Sequence, residues 1–294
     1  MVTESDVELS DGRMLHVYDT GASGGAGAPR GADDRLVVFW HHGTPNTGEP
    51  PEPLLPVADE LGIRWVSHDR PGYGGSTTHP GRDVASVAAD VAAVADALGI
   101  ERFAVMGHSG GGPHALACAA LLPDRVLAAV SVSGLAPLGA VGLDWFAGMG
   151  AGGAAELRAA ADGREALERR LTDSEFDPEM FTAADYAVLA GSWSWLDKVV
   201  ARGLAGGPGG MLDDDRAYVT PWGFDPADIV APVLLVHGVQ DHMVPSSHSE
   251  WLARRCATAE LWLRPDDGHL SVLTSTPDAL RWLTHPAPPT PSAR

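Results

Sequence analysis

A serine, an aspartate and a histidine of this chain each follow directly on an apolar run, in loops where acyl chemistry can be assembled. Ser109 lies in Gly107-His108-Ser109-Gly110-Gly111, between the apolar run at 103–106 and a helical pattern over 113–122. This is the G-x-S-x-G pattern, in which a serine on a sharp strand-to-helix turn is pushed out towards substrate. A serine hydroxyl is a weak nucleophile until a base takes its proton, and the base needs a third group to fix its tautomer and stabilise the imidazolium. Asp241 lies past the apolar run 233–237, and His269 past the strand expected at 260–263. Both therefore follow carboxyl ends of strands, the edge where open α/β sheets bind ligands.

The bare pattern carries little weight in a chain of 294 residues with 35 glycines. Gly21-Ala22-Ser23-Gly24-Gly25 satisfies it too, but the following Ala-Gly-Ala-Pro-Arg-Gly would break a helix. Flanking structure, expected at Ser109 and not at Ser23, separates the two.

The elements that must hold these residues are legible as a rhythm. Strands are expected at 13–18, 36–40, 63–67, 103–106, 126–132, 233–237 and 260–263, with helices over 52–61, 113–122, 247–256 and 271–284. Val84, Val87, Val91, Val94 and Leu98 keep helical spacing, and Gly99 closes that helix. Strands alternating with helices imply a parallel sheet buried on both faces. The rhythm fails over 137–222, where short helices are expected around 154–161, 164–171, 183–189 and 193–203. Residues 286–294 read as a disordered tail.

Composition excludes several function classes. A formal charge of −19 argues against nucleic acid or an anionic membrane as partner. Cys118 and Cys256, each placed in an expected helix, form no disulfide framework or zinc spacing and read as buried thiols. Residues 1–6 are acidic and lack a signal-peptide apolar region, which points to the cytoplasm. The uncharged stretch 126–143 is interrupted by serine, glycine and proline, so a buried strand and a loop are expected rather than a membrane span. His41, His42, His108, His237 and His242 raise the question of a metal, but no H-E-x-x-H or Cys/His ligand spacing occurs, and no metal or cofactor is expected. The turn 69–76 resembles no dinucleotide fingerprint, because no helix follows it at once, and it is expected to be structural.

The order Ser109, Asp241, His269, the His-Gly-x-Pro loop at 42–45 and the Asp-x-Pro-Gly-x-Gly-x-Ser turn at 69–76 together resemble the α/β-hydrolase superfamily over nearly the whole chain. The resemblance implies an eight-stranded, mostly parallel sheet with helices on both faces and a helical cap inserted after the sixth strand. The core would comprise 1–136 and 223–285, and the cap 137–222. It also implies Ser109 as nucleophile, His269 as base, Asp241 as its orienting acid, and the backbone N–H groups of Thr44 and Gly110 as an oxyanion hole. Some members place the acid after the sixth strand, where this chain has Ser131-Val132-Ser133-Gly134 and no carboxylate.

Members that open epoxides or displace halide typically carry aspartate at the nucleophile position, so Ser109 argues for acyl transfer. Iminopeptidase-like relatives typically have tryptophan after the serine, where this chain has Gly110. The aromatic and methionine side chains of 137–222 are candidates for an apolar substrate pocket or for packing. Trp145, Trp193 and Trp195, with His42, His108 and Met243 beside the triad, are the candidate substrate contacts. The expected partner is a small-to-medium hydrophobic ester or lactone. Amide hydrolysis, cofactor-free haloperoxidase-like or C–C bond cleavage, and ligand binding with little turnover are the alternatives.

Overall fold

The apolar runs become the strands of one sheet in a computed structural model that describes residues 1–21, 35–173 and 177–286. The strands are β1 (Thr3–Glu8), β2 (Met14–Asp19), β3 (Leu36–His41), β4 (Ile63–His68), β5 (Phe103–His108), β6 (Val126–Val132), β7 (Val233–Gly238) and β8 (Ala259–Arg264). Their order is β1-β2-β4-β3-β5-β6-β7-β8. β2 is antiparallel to both β1 and β4, and β3 to β8 pair in parallel. β5 and β7 are buried along their whole length, as parallel strands covered on both faces must be.

Helices cover the two faces. On one, α2 (Ser86–Ala97), α3 (Gly111–Leu121) and α9 (Ser247–Arg255) bury Val87, Val91, Val94, Ala115, Cys118 and Leu252 against β3, β5 and β7. On the other, α1 (Leu55–Glu60) and α10 (Thr276–Thr284) bury Ala58, Leu280 and Leu283 against Val38, Ala104 and Leu234. Side chains alternate between these layers along each strand.

Between β6 and β7 the chain inserts α4 (Ala151–Asp162), α5 (Arg164–Asp173), α6 (Ala183–Leu189), α7 (Trp195–Leu204) and α8 (Gly209–Val219). Leu157, Leu167, Leu212 and Tyr218 of this insertion join the first layer, and Trp193, Leu196 and Val199 join the second. The insertion thus packs onto both layers and does not stand apart as a separate core.

Four details differ from the sequence reading. β1 was not expected, because an edge strand exposed on both faces needs no apolar alternation; its residues are mostly polar. Nor was α8, whose Asp213-Asp214-Asp215 run reads as a solvated turn yet is buried. Cys256 caps α9 and lies just past its last residue, although both thiols are buried. Leu121 ends α3 one residue early. Ser23 and the tail from 287 on lie outside the described residues. Residues 126–143 form β6 and then a loop, and no helix among the described residues is long and apolar enough to cross a membrane.

Candidate active site

Ser109 occupies the turn between β5 and α3 with φ of +53°, a left-handed conformation that costs a non-glycine residue about 1 kcal/mol or more. The turn is held on both sides, since Ser109 N–H donates to Val132 O at 2.8 Å and Gly112 N–H to Ser109 O at 2.9 Å. Strand and helix cross so closely that a Cβ on Gly107 would lie 2.1 Å from Gly111 O, and one on Gly111 2.0 Å from His41 O. Side chains at these two positions would push the serine out of place.

Asp241 and His269 come together from the loops after β7 and β8. His269 Nδ1 donates to Asp241 Oδ2 at 2.7 Å, and both residues are buried. The other carboxylate oxygen accepts the N–H groups of Met243 at 2.8 Å and Val244 at 2.9 Å. His237 Nε2 donates to Val244 O at 2.7 Å and lies 3.3 Å from Asp241 Oδ2. Burial alone would raise the Asp241 pKa, but the facing His269 and the hydrogen bonds from His237 and His269 hold it well below the usual carboxylate range. For His269 burial pulls downward, and the charge and hydrogen bond of Asp241, followed by the charge of Asp185, outweigh it and leave the pKa raised. With Nδ1–H committed to Asp241, the neutral ring carries its lone pair on Nε2.

His108 ties this pair to the serine turn. Its Nε2–H donates to His269 O at 3.1 Å, and the two rings lie 5.1 Å apart. Burial, followed by the charge of His269, lowers its pKa to about 3, so it is a neutral donor.

The loop after β3 supplies Thr44. Among the described residues, neither the Thr44 nor the Gly110 backbone N–H has a protein acceptor. Thr44 is held instead through its side chain, where Oγ1 donates to Asp214 Oδ2 at 2.6 Å and lies 2.8 Å from Tyr218 OH. Tyr218 OH in turn donates to Gly110 O at 3.1 Å. Asp214 also takes Arg70 Nε and Nη2 at 3.1 and 2.7 Å, Arg82 Nη2 at 2.7 Å and Tyr73 OH at 2.8 Å. Arg70 Nη1 donates to His42 O. Burial opposes the charge on Asp214, yet Arg70 and Arg82 keep its pKa well below the ordinary value. A buried carboxylate of α8 therefore fixes the Thr44 loop and the turn at 69–76, and Tyr218 of the same helix joins them to the residue that starts α3.

The candidate substrate contacts fall in different places. His42 is buried, with Nδ1–H donating to Gly43 O at 2.8 Å and Nε2 accepting Arg70 N–H at 3.0 Å, so both nitrogens are used by backbone. Trp145 is buried, with Nε1–H donating to Ala136 O at 2.7 Å, beside His248. Trp193 and Trp195 are buried in the layer that also holds Trp40, Leu196 and Leu270. Met243 is half-buried and its N–H serves Asp241. Asp185 and Asp214 were not singled out from the sequence. Each carries a signal visible there, a Thr-x-x-Asp capping pattern at 182–185 for one and an acidic run for the other, but neither reveals a partner.

A family model for the alpha/beta hydrolase fold matches residues 37–276. The chain belongs to the α/β-hydrolase fold family. Within that family, a non-heme chloroperoxidase of Streptomyces lividans is 31% identical over 242 residues, covering 81% of this chain and 83% of its own. A bifunctional esterase/perhydrolase of Acinetobacter calcoaceticus is 38% identical over 110 residues, and this match spans 37% of the present chain and 40% of the relative. An enol-lactonase structure from Burkholderia xenovorans superposes with a TM-score of 0.68 at 18% identity, over 96% of this α/β-hydrolase and 99% of the other. At that identity the likeness speaks for the fold.

Proposed function

We propose that this α/β-hydrolase is a serine hydrolase that cleaves an ester or lactone of a small-to-medium hydrophobic substrate through an acyl-enzyme on Ser109. The observation that carries the reading is the 2.7 Å His269–Asp241 pair bonded through His108 to the strained serine turn. In this reading Ser109 Oγ attacks the acyl carbon while His269 Nε2 takes its proton, and Asp241 stabilises the imidazolium. The oxyanion is met by the N–H groups of Thr44 and Gly110, a contribution of about 3 kcal/mol per donor. His269 returns the proton to the leaving alcohol, and then activates the water that releases the acid. Residues 1–136 and 223–285 serve as the core and 137–222 as the cap that bounds the substrate. The aromatic and methionine content of 137–222 supports an apolar acyl or alcohol group.

A panel of p-nitrophenyl esters and lactones tests this, with Ser109→Ala as control. Turnover lost in that variant supports it, and no turnover at any chain length counts against it. The likeness to a chloroperoxidase over 81% of the chain favours one second reading, in which hydrogen peroxide rather than water accepts the acyl group. Peracid formed from an ester and peroxide, and abolished in Ser109→Ala, would distinguish it.

A further inference from the structure

In the loop that carries His269, three backbone donors meet side-chain acceptors, those of Gly268, Leu270 and Ser271. Gly268 N–H goes to Ser271 Oγ within the loop, at 2.7 Å. The other two leave the loop. Asp185 Oδ1, from the inserted helix α6, accepts Leu270 N–H at 2.8 Å, Ser271 N–H at 2.7 Å and Ser271 Oγ–H at 2.8 Å. Its Oδ2 accepts the N–H and Oγ1–H of Thr182, both at 2.9 Å, which closes a capping box at the start of α6. Helix capping accounts for Oδ2 and leaves the three donors on Oδ1 unexplained. The approach is tight, since a Cβ on Gly268 would lie 2.2 Å from Asp185 Oδ2. Asp185 is 1% exposed, so its carboxylate is shielded from solvent.

We propose that Asp185 is a positioning residue for His269: it grips the backbone just after the base and sets where the imidazole stands between Asp241 and Ser109. The inference rests on the reading of Ser109 and His269 as nucleophile and base. His269 is thereby held at three points, its ring by Asp241, its carbonyl by His108 and its following amides by Asp185. Burial opposes ionisation of Asp185, but the donors on Ser271, Thr182 and Leu270 lower its pKa and keep it anionic. The titratable groups around the base are Asp241 with His237 behind it, neutral His108, and Asp185 with Asp267 on the same loop. Asp185 adds to Asp241 in favouring the imidazolium.

The test compares Asp185→Ala, which removes all three Oδ1 contacts, with Thr182→Ala, which breaks the capping box and leaves them. Asp185→Ala is expected to lower kcat by about 10- to 100-fold with KM little changed, the scale of a small misplacement of a catalytic group. It should also shift the acid limb of kcat/KM to lower pH, while Thr182→Ala keeps both near wild type. Equal loss in the two variants, or an unmoved acid limb in Asp185→Ala, overturns the inference. Should Asp185→Ala fail to fold, Asp185→Asn keeps an acceptor oxygen and removes the charge, so its acid limb should still move down, and an unmoved one overturns the inference equally. Ser109→Ala and His269→Ala run alongside: turnover surviving in them defeats the underlying reading, whereas its loss with a wild-type Asp185→Ala defeats the positioning role alone.

Discussion

His108 Nε2 donates to the backbone carbonyl of His269 across 3.1 Å, so the residue before the strained serine is bonded directly to the residue that carries the imidazole. The two are 161 residues apart, at the end of β5 and in the loop after β8. Their bond ties the serine turn to the backbone of the base's loop through the His108 side chain, so the spacing of serine and base depends on that imidazole. Replacing His108 by Ala is expected to lower kcat while labelling of Ser109 by a fluorophosphonate slows but persists.

In the proposed mechanism Ser109→Ala removes the attacking atom and His269→Ala the base. Each is expected to reduce kcat by on the order of 10⁴- to 10⁶-fold, and the double variant to lose little more, because members of such a unit do not act additively. Steady-state rates on the best ester of the panel, with thermal melts in parallel, check this.

In the proposed mechanism activity requires neutral His269, whose pKa is raised above the ordinary histidine value of 6.5. The acid limb of kcat/KM therefore rises through a midpoint above 6.5. Asp241→Asn removes the anion that favours the imidazolium, so the midpoint should move down and kcat should fall by about 10⁴-fold. A midpoint that stays in place in Asp241→Asn contradicts the assignment.

A Cβ on Gly110 would lie 2.2 Å from Tyr218 OH and 2.7 Å from Thr44 Oγ1. Gly110→Ala is expected to push the Thr44 loop away from the serine turn and cost about 10²- to 10³-fold in kcat, the scale of one lost oxyanion donor. Tyr218→Phe removes the hydroxyl in the way. The double variant should therefore recover part of the loss, which a rate comparison of the three proteins reads directly.

Asp214 is fully buried between Arg70 and Arg82. Asp214→Asn leaves two buried guanidinium groups without their counter-ion and is expected to cost about 3–5 kcal/mol, measured by urea unfolding. Because the folded-state pKa of Asp214 is depressed, its contribution is present above the ordinary carboxylate value and fades as pH falls towards the folded-state pKa. The wild-type advantage over Asp214→Asn should accordingly shrink in acid.

The strands and most helices were legible because their signals are local. An all-apolar run such as Phe103–Met106 can only be a buried segment, and the glycines around Ser109 mark a turn that no other residue fits as well. The insertion was harder to read. By composition Trp193 and Trp195 suit a substrate pocket or a packed layer, and the fold seats them in the layer that holds Leu270 and Trp40.

The sequence by itself determined the α/β rhythm, the serine turn and the order Ser109, Asp241, His269, since periodicity and turn chemistry depend on near neighbours along the chain. Tertiary structure alone decided what Asp185 and Asp214 do. On a helix, an aspartate reads as a solvated surface group until the fold buries it and turns distant donors upon it. Each of these carboxylates is held as an anion by partners from other loops, Leu270 and Ser271 in one case and Arg70 and Thr44 in the other. Desolvation makes those bonds strong, and burial is a property of the folded chain.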